Sequence, residues 1–455
     1  MPGKVLRFFR ILCRILIGTV FIASGFLKAT DPIGTSLKVA EYMQAFGVAS
    51  IVGLVGFTKF SLIAAISLSA FEFLIGAAVL NGFKTKFFSV SAVVMSAFFF
   101  VLTFISAVTG LVHDCGCFGE AYKLSPWNTF YKNVVLLACS LFIYLQRKRI
   151  TPVANRFWEN IYTGGYSLFI LAISFYSLKN LPPVDFSDFR CGTDLMEMTT
   201  GAPELQYKTT LIYSKDGKKR EFAIDSLPDD TWSFVDSRTT LVSGSEEDAS
   251  RMRFDLKTAD GEYVTEDILR KGGPAIFISF YYRGNITEGD LGRLKNLGDS
   301  LNYGTKRADF YLLSSMNEEQ TTEFLKPVYD AVERENIANL FDSDGEYKGL
   351  PFRILYSDIK TVITFNRSNG GVTYVRDGEI LKKWSSFKYS NKKVINAIEK
   401  SPGSVSAKSD IRSQMYVIVS ILIIVSMCVI LRFISRALYK TVKKGVDAFE
   451  EIVEG

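Results

Sequence analysis

His113-Asp114-Cys115-Gly116-Cys117-Phe118-Gly119-Glu120 joins two long apolar runs, Phe87–Leu111 and Thr129–Leu145. A helix rises about 1.5 Å per residue, so runs of this length cross about 30 Å of hydrocarbon. The octapeptide is therefore read as the turn of a membrane hairpin. It holds the only histidine in the chain and two of its six cysteines. Two thiols at i and i+2 cannot share a regular helix face, but they can close a small strained disulfide ring, and strain makes such a bond labile. Spacing alone leaves three readings open. The cysteines are small apolar fillers at a helix end, or a redox pair, or metal ligands together with His113 and Asp114. In the redox reading a protonated His113 would favour the thiolate, whereas Asp114 and Glu120 would oppose it.

Outward from the turn, the chain reads as six spans. Met1–Arg14 carries Lys4, Arg7, Arg10 and Arg14 ahead of an apolar run to Leu27. Ala23-Ser24-Gly25 fits a signal-peptidase site poorly, so this run is expected to stay as a helix. Thr30–Phe57 is a loop with helix-like pieces at the membrane interface. Lys28 and Asp31 anchor the end of the first span there. The second span, Thr58–Leu80, is interrupted by Glu72. The third and fourth are the two runs flanking the turn, and Glu159–Leu178 and Met415–Leu431 are the fifth and sixth. Basic clusters fall at the N-terminus, at Lys84 and Lys86, at Arg147–Arg149 and after Leu431, all on one side. The positive-inside rule then places both termini in the cytoplasm. It places the Cys-Gly-Cys turn and residues 182–412 in a bacterial periplasm. The basic, apolar-interleaved tail 433–455 reads as an amphipathic helix on a lipid surface.

Glu72 lies mid-span. On insertion scales a charge there costs roughly 2.5–3.5 kcal/mol, so it should face the bundle interior. It is read as a proton carrier or a quinone-site residue, against the alternative of a buried, hydrogen-bonded glutamate that only fixes packing. Asn133 is a candidate interhelical hydrogen bonder. By this topology Cys13, Cys139 and Cys428 lie within spans and behave as small hydrophobes. Cys115, Cys117 and Cys191 lie on the oxidising side. Cys191 is either the resolving thiol of a relay or an unpaired cysteine near the membrane. The net charge of +6 is explained by these flanking clusters, and no nucleic-acid module, nucleotide loop, zinc pattern or serine triad is present.

From Pro182 the character changes to short apolar runs broken by turns and charges. Residues 182–255 read as a β-rich segment: strand Thr209–Ser214, a turn at Lys215-Asp216-Gly217, then Lys219–Ile224. Residues 256–400 give a strand at Ala275–Tyr282, a helix at Ile286–Leu301, a strand at Ala308–Ser314, a helix from Glu318, and a hairpin at Gly371–Val375 and Glu379–Trp384. With the entry Asp260-Gly261…Thr265…Leu269, this order resembles the thioredoxin fold. The redox-active members open the helix after the core strand with Cys-x-x-Cys. Here Tyr282-Arg283-Gly284-Asn285-Ile286 has no cysteine, and Asn369-Gly370-Gly371 stands where a cis-proline is expected. A docking domain is expected, not a thiol oxidoreductase.

Arg14–Pro32, Phe71–Lys86 and above all Asp114-Cys115-Gly116-Cys117-Phe118-Gly119, followed by Asn133-Val134-Val135-Leu136-Leu137, resemble the DoxX-like membrane family and its methylamine-utilisation MauE branch. The resemblance covers residues 1–149 and implies a four-helix bundle, extended here by helices at 157–181 and 413–432. It also implies extracytoplasmic thiol–disulfide chemistry through Cys115 and Cys117, with an envelope protein as partner and a quinone as electron acceptor. The chain would then be one component of a membrane thiol–disulfide oxidoreductase. The competing expectation is a non-enzymatic anchor or assembly factor with inert cysteines.

Overall fold

The structure, a computed structural model, describes residues 2–47, 54–110, 112, 116–122, 124–151, 155–200, 206–215, 218–223, 231–243, 252–282, 284, 286–302, 307–336, 350–386, 389–400 and 410–454. His113, Asp114 and Cys115 lie outside these.

The N-terminal part is a helical bundle: α1 (Pro2–Thr30), α2 (Pro32–Ala45), α3 (Leu54–Asn81), α4 (Thr85–Thr109), the short strand β1 (Cys117–Glu120), α5 (Pro126–Leu145) and α6 (Arg156–Lys179). The last helix, α13 (Asp410–Glu454), returns to it. Among the described residues, five segments are long and apolar enough to cross a membrane: Lys59–Asn81, Thr85–Thr109, Pro126–Leu145, Arg156–Lys179 and Met415–Ser435. The sequence reading counted six. Of the six, the first, on α1, is the one not among these five. On α4, Phe87, Val94, Phe98, Val101 and Val108 point outward, as a lipid-facing stripe does. The tail read as a separate amphipathic helix is continuous with the last span.

Two arginines mark one end of the bundle. Arg14 donates to the carbonyls of Val79 and Leu80, each at 2.9 Å, and Arg432 to those of Leu80 and Asn81. These are orphan acceptors at the C-terminus of α3. The contact brings the basic segments of α1 and α13 to the same end, and the β1 turn lies at the other. α13 is held to α6 by Tyr162 Oη and Ser435 Oγ, 2.5 Å apart, and by Tyr166 Oη and Cys428 Sγ, 3.4 Å apart.

The second part is α/β. It has a three-stranded antiparallel sheet, in the order β3 (Lys218–Ala223), β2 (Gln206–Lys215), β4 (Ser233–Ser243), and a five-stranded sheet. The larger sheet runs β7 (Arg353–Tyr356), β6 (Asp309–Ser314), β5 (Pro274–Phe280), β8 (Gly371–Arg376), β9 (Glu379–Trp384). The first three strands are parallel and the last two antiparallel.

Period-two alternation on β5 divides the core. Ile276, Ile278 and Phe280 face α9 (Glu288–Asn302), α10 (Glu318–Asn336) and α12 (Asn391–Glu399). Phe277 faces α8 (Thr265–Lys271) and α11 (Ile359–Phe365) on the opposite side. This second face also takes in Phe189, Leu195 of α7 (Leu195–Thr200) and Phe254. Phe254 stacks on Phe365 and meets Phe277 edge-on, and Phe189 meets Phe365 edge-on.

Candidate functional site

The turn is built around glycine. Gly116 has φ +60°, and a Cβ there would lie 3.1 Å from Lys38 Cγ, so the Lys38 stem packs directly over the position between the two cysteines. Gly119, also at φ +60°, donates to the Gly116 carbonyl at 3.0 Å and closes the turn. Cys117 is 7% exposed and disulfide-bonded. Cys13, Cys139, Cys191 and Cys428 carry no disulfide. Cys191 packs against the Phe189–Phe254 side of the α/β domain.

Beneath the turn lies a buried ion pair. Lys28 Nζ is 2.6 and 2.8 Å from the two oxygens of Glu72, and the two residues are 3% and 0% exposed. Ser24 is one helical turn before Lys28 on the same face of α1. Its Oγ accepts from Lys28 at 3.1 Å and has one proton for two acceptors, Glu72 Oε2 at 2.6 Å and the Cys117 carbonyl. Ser24 thus connects the intramembrane carboxylate to the backbone of the cysteine turn. Lys28 also lies 5.1 Å over the Phe99 ring, and Lys132 lies 4.6 Å over that of Phe118. The expectation that Lys28 merely anchors the end of α1 at the interface is therefore corrected: it is buried because Glu72 faces it across α1 and α3. Asn133 donates to Thr103 Oγ1 at 3.1 Å and to the Phe99 carbonyl at 3.3 Å, joining α5 to α4.

On the other side the α/β domain reaches the turn through Arg367, in the loop between α11 and β8. Its guanidinium, 3% exposed, pairs with Asp31 at 3.1 Å and Glu120 at 2.6 Å. It also donates to Thr364 Oγ1 at 3.1 Å, and the Arg367 carbonyl accepts from Tyr281 Oη at 2.9 Å. Burial works against the Arg367 charge. Asp31, then Glu120 and Asp185, outweigh it and raise its pKa. At Asp31 burial is the largest influence and, with Glu120, raises the carboxyl pKa despite Arg367 and the Gly34 N–H. Asp31 therefore joins the two parts of the molecule, where the sequence reading made it an interface anchor.

Asp185 and Lys383 form a second tie at 2.8 Å, between the segment leaving α6 and β9. Burial pushes the Asp185 carboxyl up, but Lys383, with Ser187 and Arg367, outweighs that and holds it at about 2, below the ordinary 3.8. A depressed carboxylate contributes stability above the ordinary value and loses it as pH falls toward the folded one. The tie should therefore contribute about 2 kcal/mol above pH 4 and fade toward pH 2. An acid titration followed by tryptophan fluorescence checks this: Lys383→Met should flatten that limb.

Ser24, Lys28, Asp31 and Arg367 were not among the site residues expected from sequence. The available signal was a lysine and a glutamate of opposite sign, each buried in a different apolar helix. Arg367 gave none.

A multi-helix membrane bundle with a disulfide-bearing turn, an ion pair beneath it and an α/β domain tied to it defines the class: a multi-pass membrane protein. Comparison narrows this for the bundle. Residues 6–146, spanning most of α1 to the end of α5, match the family model of methylamine utilisation protein MauE, which supports a MauE-type membrane family for this part. Residues 207–244, the three-stranded sheet, match a domain of unknown function, DUF8463. Comparison with curated proteins and with solved structures gave no match.

Proposed function

We propose that this protein exchanges disulfides with an extracytoplasmic protein through Cys115 and Cys117. The supporting observation is that Cys117 is disulfide-bonded at a turn whose carbonyl is tied, through Ser24, to a buried Lys28–Glu72 pair. Cys115 is the remaining cysteine of the six and the proposed other half of that bond. In the exchange a partner thiolate attacks one sulfur and a mixed disulfide forms. The second partner thiol resolves it, leaving an oxidised partner and two turn thiols. The thiols take up the partner's two protons, and Glu72, hydrogen-bonded to Ser24, is the proposed carrier within the bundle.

The DoxX link of the bundle, and a thioredoxin-like identity for the α/β domain, belong to this reading. The latter is supported by three parallel strands continued by an antiparallel hairpin, with helices on both faces. Tyr281-Tyr282 follows the core strand where the redox members carry cysteine, so the domain's role is docking. In the proposed orientation the bundle spans a bacterial inner membrane, both termini are in the cytoplasm, and residues 182–412 are periplasmic. The meeting of Arg14 and Arg432 at one end of the bundle supports it.

A quinone is the proposed electron acceptor, with no described residue of the turn assigned to it. An apolar cavity of about 500 Å³ lies between α1, α6 and α13, lined by Phe26, Phe169, Tyr176 and Tyr416. Phe26 is two residues from both Ser24 and Lys28, hence on the opposite face of α1.

The test is the oxidation state of Cys115, Cys117 and Cys191 in acid-quenched cells, read by mass-tagging of thiols. A mixture that shifts with external oxidant, or a mixed disulfide to another protein that disappears in Cys115→Ala/Cys117→Ala, is expected. A turn locked in one state under every condition, with function retained in the double variant, would leave the anchor reading.

A further inference from the structure

The α/β domain reaches the turn without a cysteine, through a side chain that pairs with the turn's far end. Arg367 enters from the loop before β8, in the same loop cluster as Tyr281 and Asn369, whose Oδ1 accepts the Tyr281 N–H at 3.0 Å. Two carboxylates converge on it from different elements. Asp31 starts α2, where it also caps Gly34 N at 2.9 Å, and Glu120 ends β1, three residues after Cys117. Without a cation between them, two partly buried acids would repel each other across the base of β1. A second ion pair joining α2 to the domain, Lys360–Glu41, lies at 4.0 Å and half exposed and contributes little.

We propose that Arg367 is a positioning residue for the cysteine turn: docking of the α/β domain, through Arg367, holds β1 closed against α2, and release of this clamp opens the Cys117 disulfide to thiols. The proposal rests on the exchange reading, but its test does not. With the clamp engaged, Glu120 and Asp31 are neutralised and Cys117 stays buried. With the domain displaced, the repelling acids separate, β1 loses its anchor, and the disulfide becomes accessible. A partner that binds the domain would in this way control the turn without any cysteine in the domain.

The experiment measures the rate at which dithiothreitol reduces the Cys117 disulfide in full-length protein in native membranes, read by mass-tagging after acid quench. Arg367→Gln should accelerate reduction by about tenfold or more. Arg367→Lys, which keeps the charge, should restore most of the slow rate, and Glu120→Gln should accelerate it less because Asp31 still holds Arg367. Alkylation of Cys13 and Cys428, buried deep in the bundle, should stay at the wild-type level. Arg367→Gln and Glu120→Gln rates within twofold of wild type would overturn the proposal. So would parallel labelling of Cys13 and Cys428, which would mean general loosening. If the clamp variants behave as expected while the cellular thiols never change state, the exchange reading fails and the clamp stands.

Discussion

Lys28→Met should cost the bundle about 3–5 kcal/mol, the range for removing one partner of a buried ion pair. The lysine is not replaceable by solvent, since Glu72 is fully buried and Lys28 nearly so. Its ammonium donates to both carboxylate oxygens and to Ser24 Oγ, so three hydrogen bonds disappear together. The orphaned Glu72 carboxylate would be left buried without a counter-charge, which is the costly outcome. The double variant Lys28→Met/Glu72→Leu should recover most of the loss, since a buried pair exchanged for packed apolar groups is often neutral. Thermal unfolding in mild detergent, run as a double-mutant cycle, measures this coupling directly. A single variant within about 1 kcal/mol of wild type would show that the pair does not hold α1 to α3.

This pair also shows where sequence reasoning stops. Glu72 was legible as an interior residue because a charge within an apolar run has few places to go. Its partner was not, because sequence gives a position along α1 but not which helix stands opposite. Lys28, four residues after Ser24 near the end of a run, reads equally well as an interfacial anchor. Arg367 and Asp31 are 336 positions apart, and nothing local marks their meeting. In the α/β domain, the strands with continuous apolar runs, β5 and β6, were found, as was the hairpin with its Asp377-Gly378 turn. β7 was missed: it is four residues long and becomes a strand only by pairing with β6. At α5 the apolar run suggested a start at Thr129, but Ser125 caps the helix and Pro126 occupies its first turn. That signal was local and available.

Gly76→Ala, a gain of one methyl group, should destabilise the bundle by about 2–3 kcal/mol. α1 and α3 approach at glycines. A Cβ on Gly76 would lie 2.6 Å from Ile22 N and 2.8 Å from the Gly18 carbonyl oxygen, and one on Gly25 would lie 2.5 Å from Phe73 N. These neighbours are backbone atoms of the facing helix, which cannot rotate away as a side chain would, so the helices must separate. Glu72 is one turn before Gly76 on α3, and its 2.6 Å contact with Lys28 spans the same helix pair. Separation therefore lengthens the ion pair and pulls Ser24 from the Cys117 carbonyl. Two effects follow from one methyl group: lower thermal stability and a looser cysteine turn. Gly164→Ala on α6 is the internal reference. Nothing lies within 4 Å of a Cβ there, so the change should stabilise by about 0.5–1 kcal/mol through helix propensity. Equal melting temperatures for the Gly76 and Gly164 variants would mean that α1 and α3 can part without loss, and that the ion pair, not the close glycine crossing, sets their spacing.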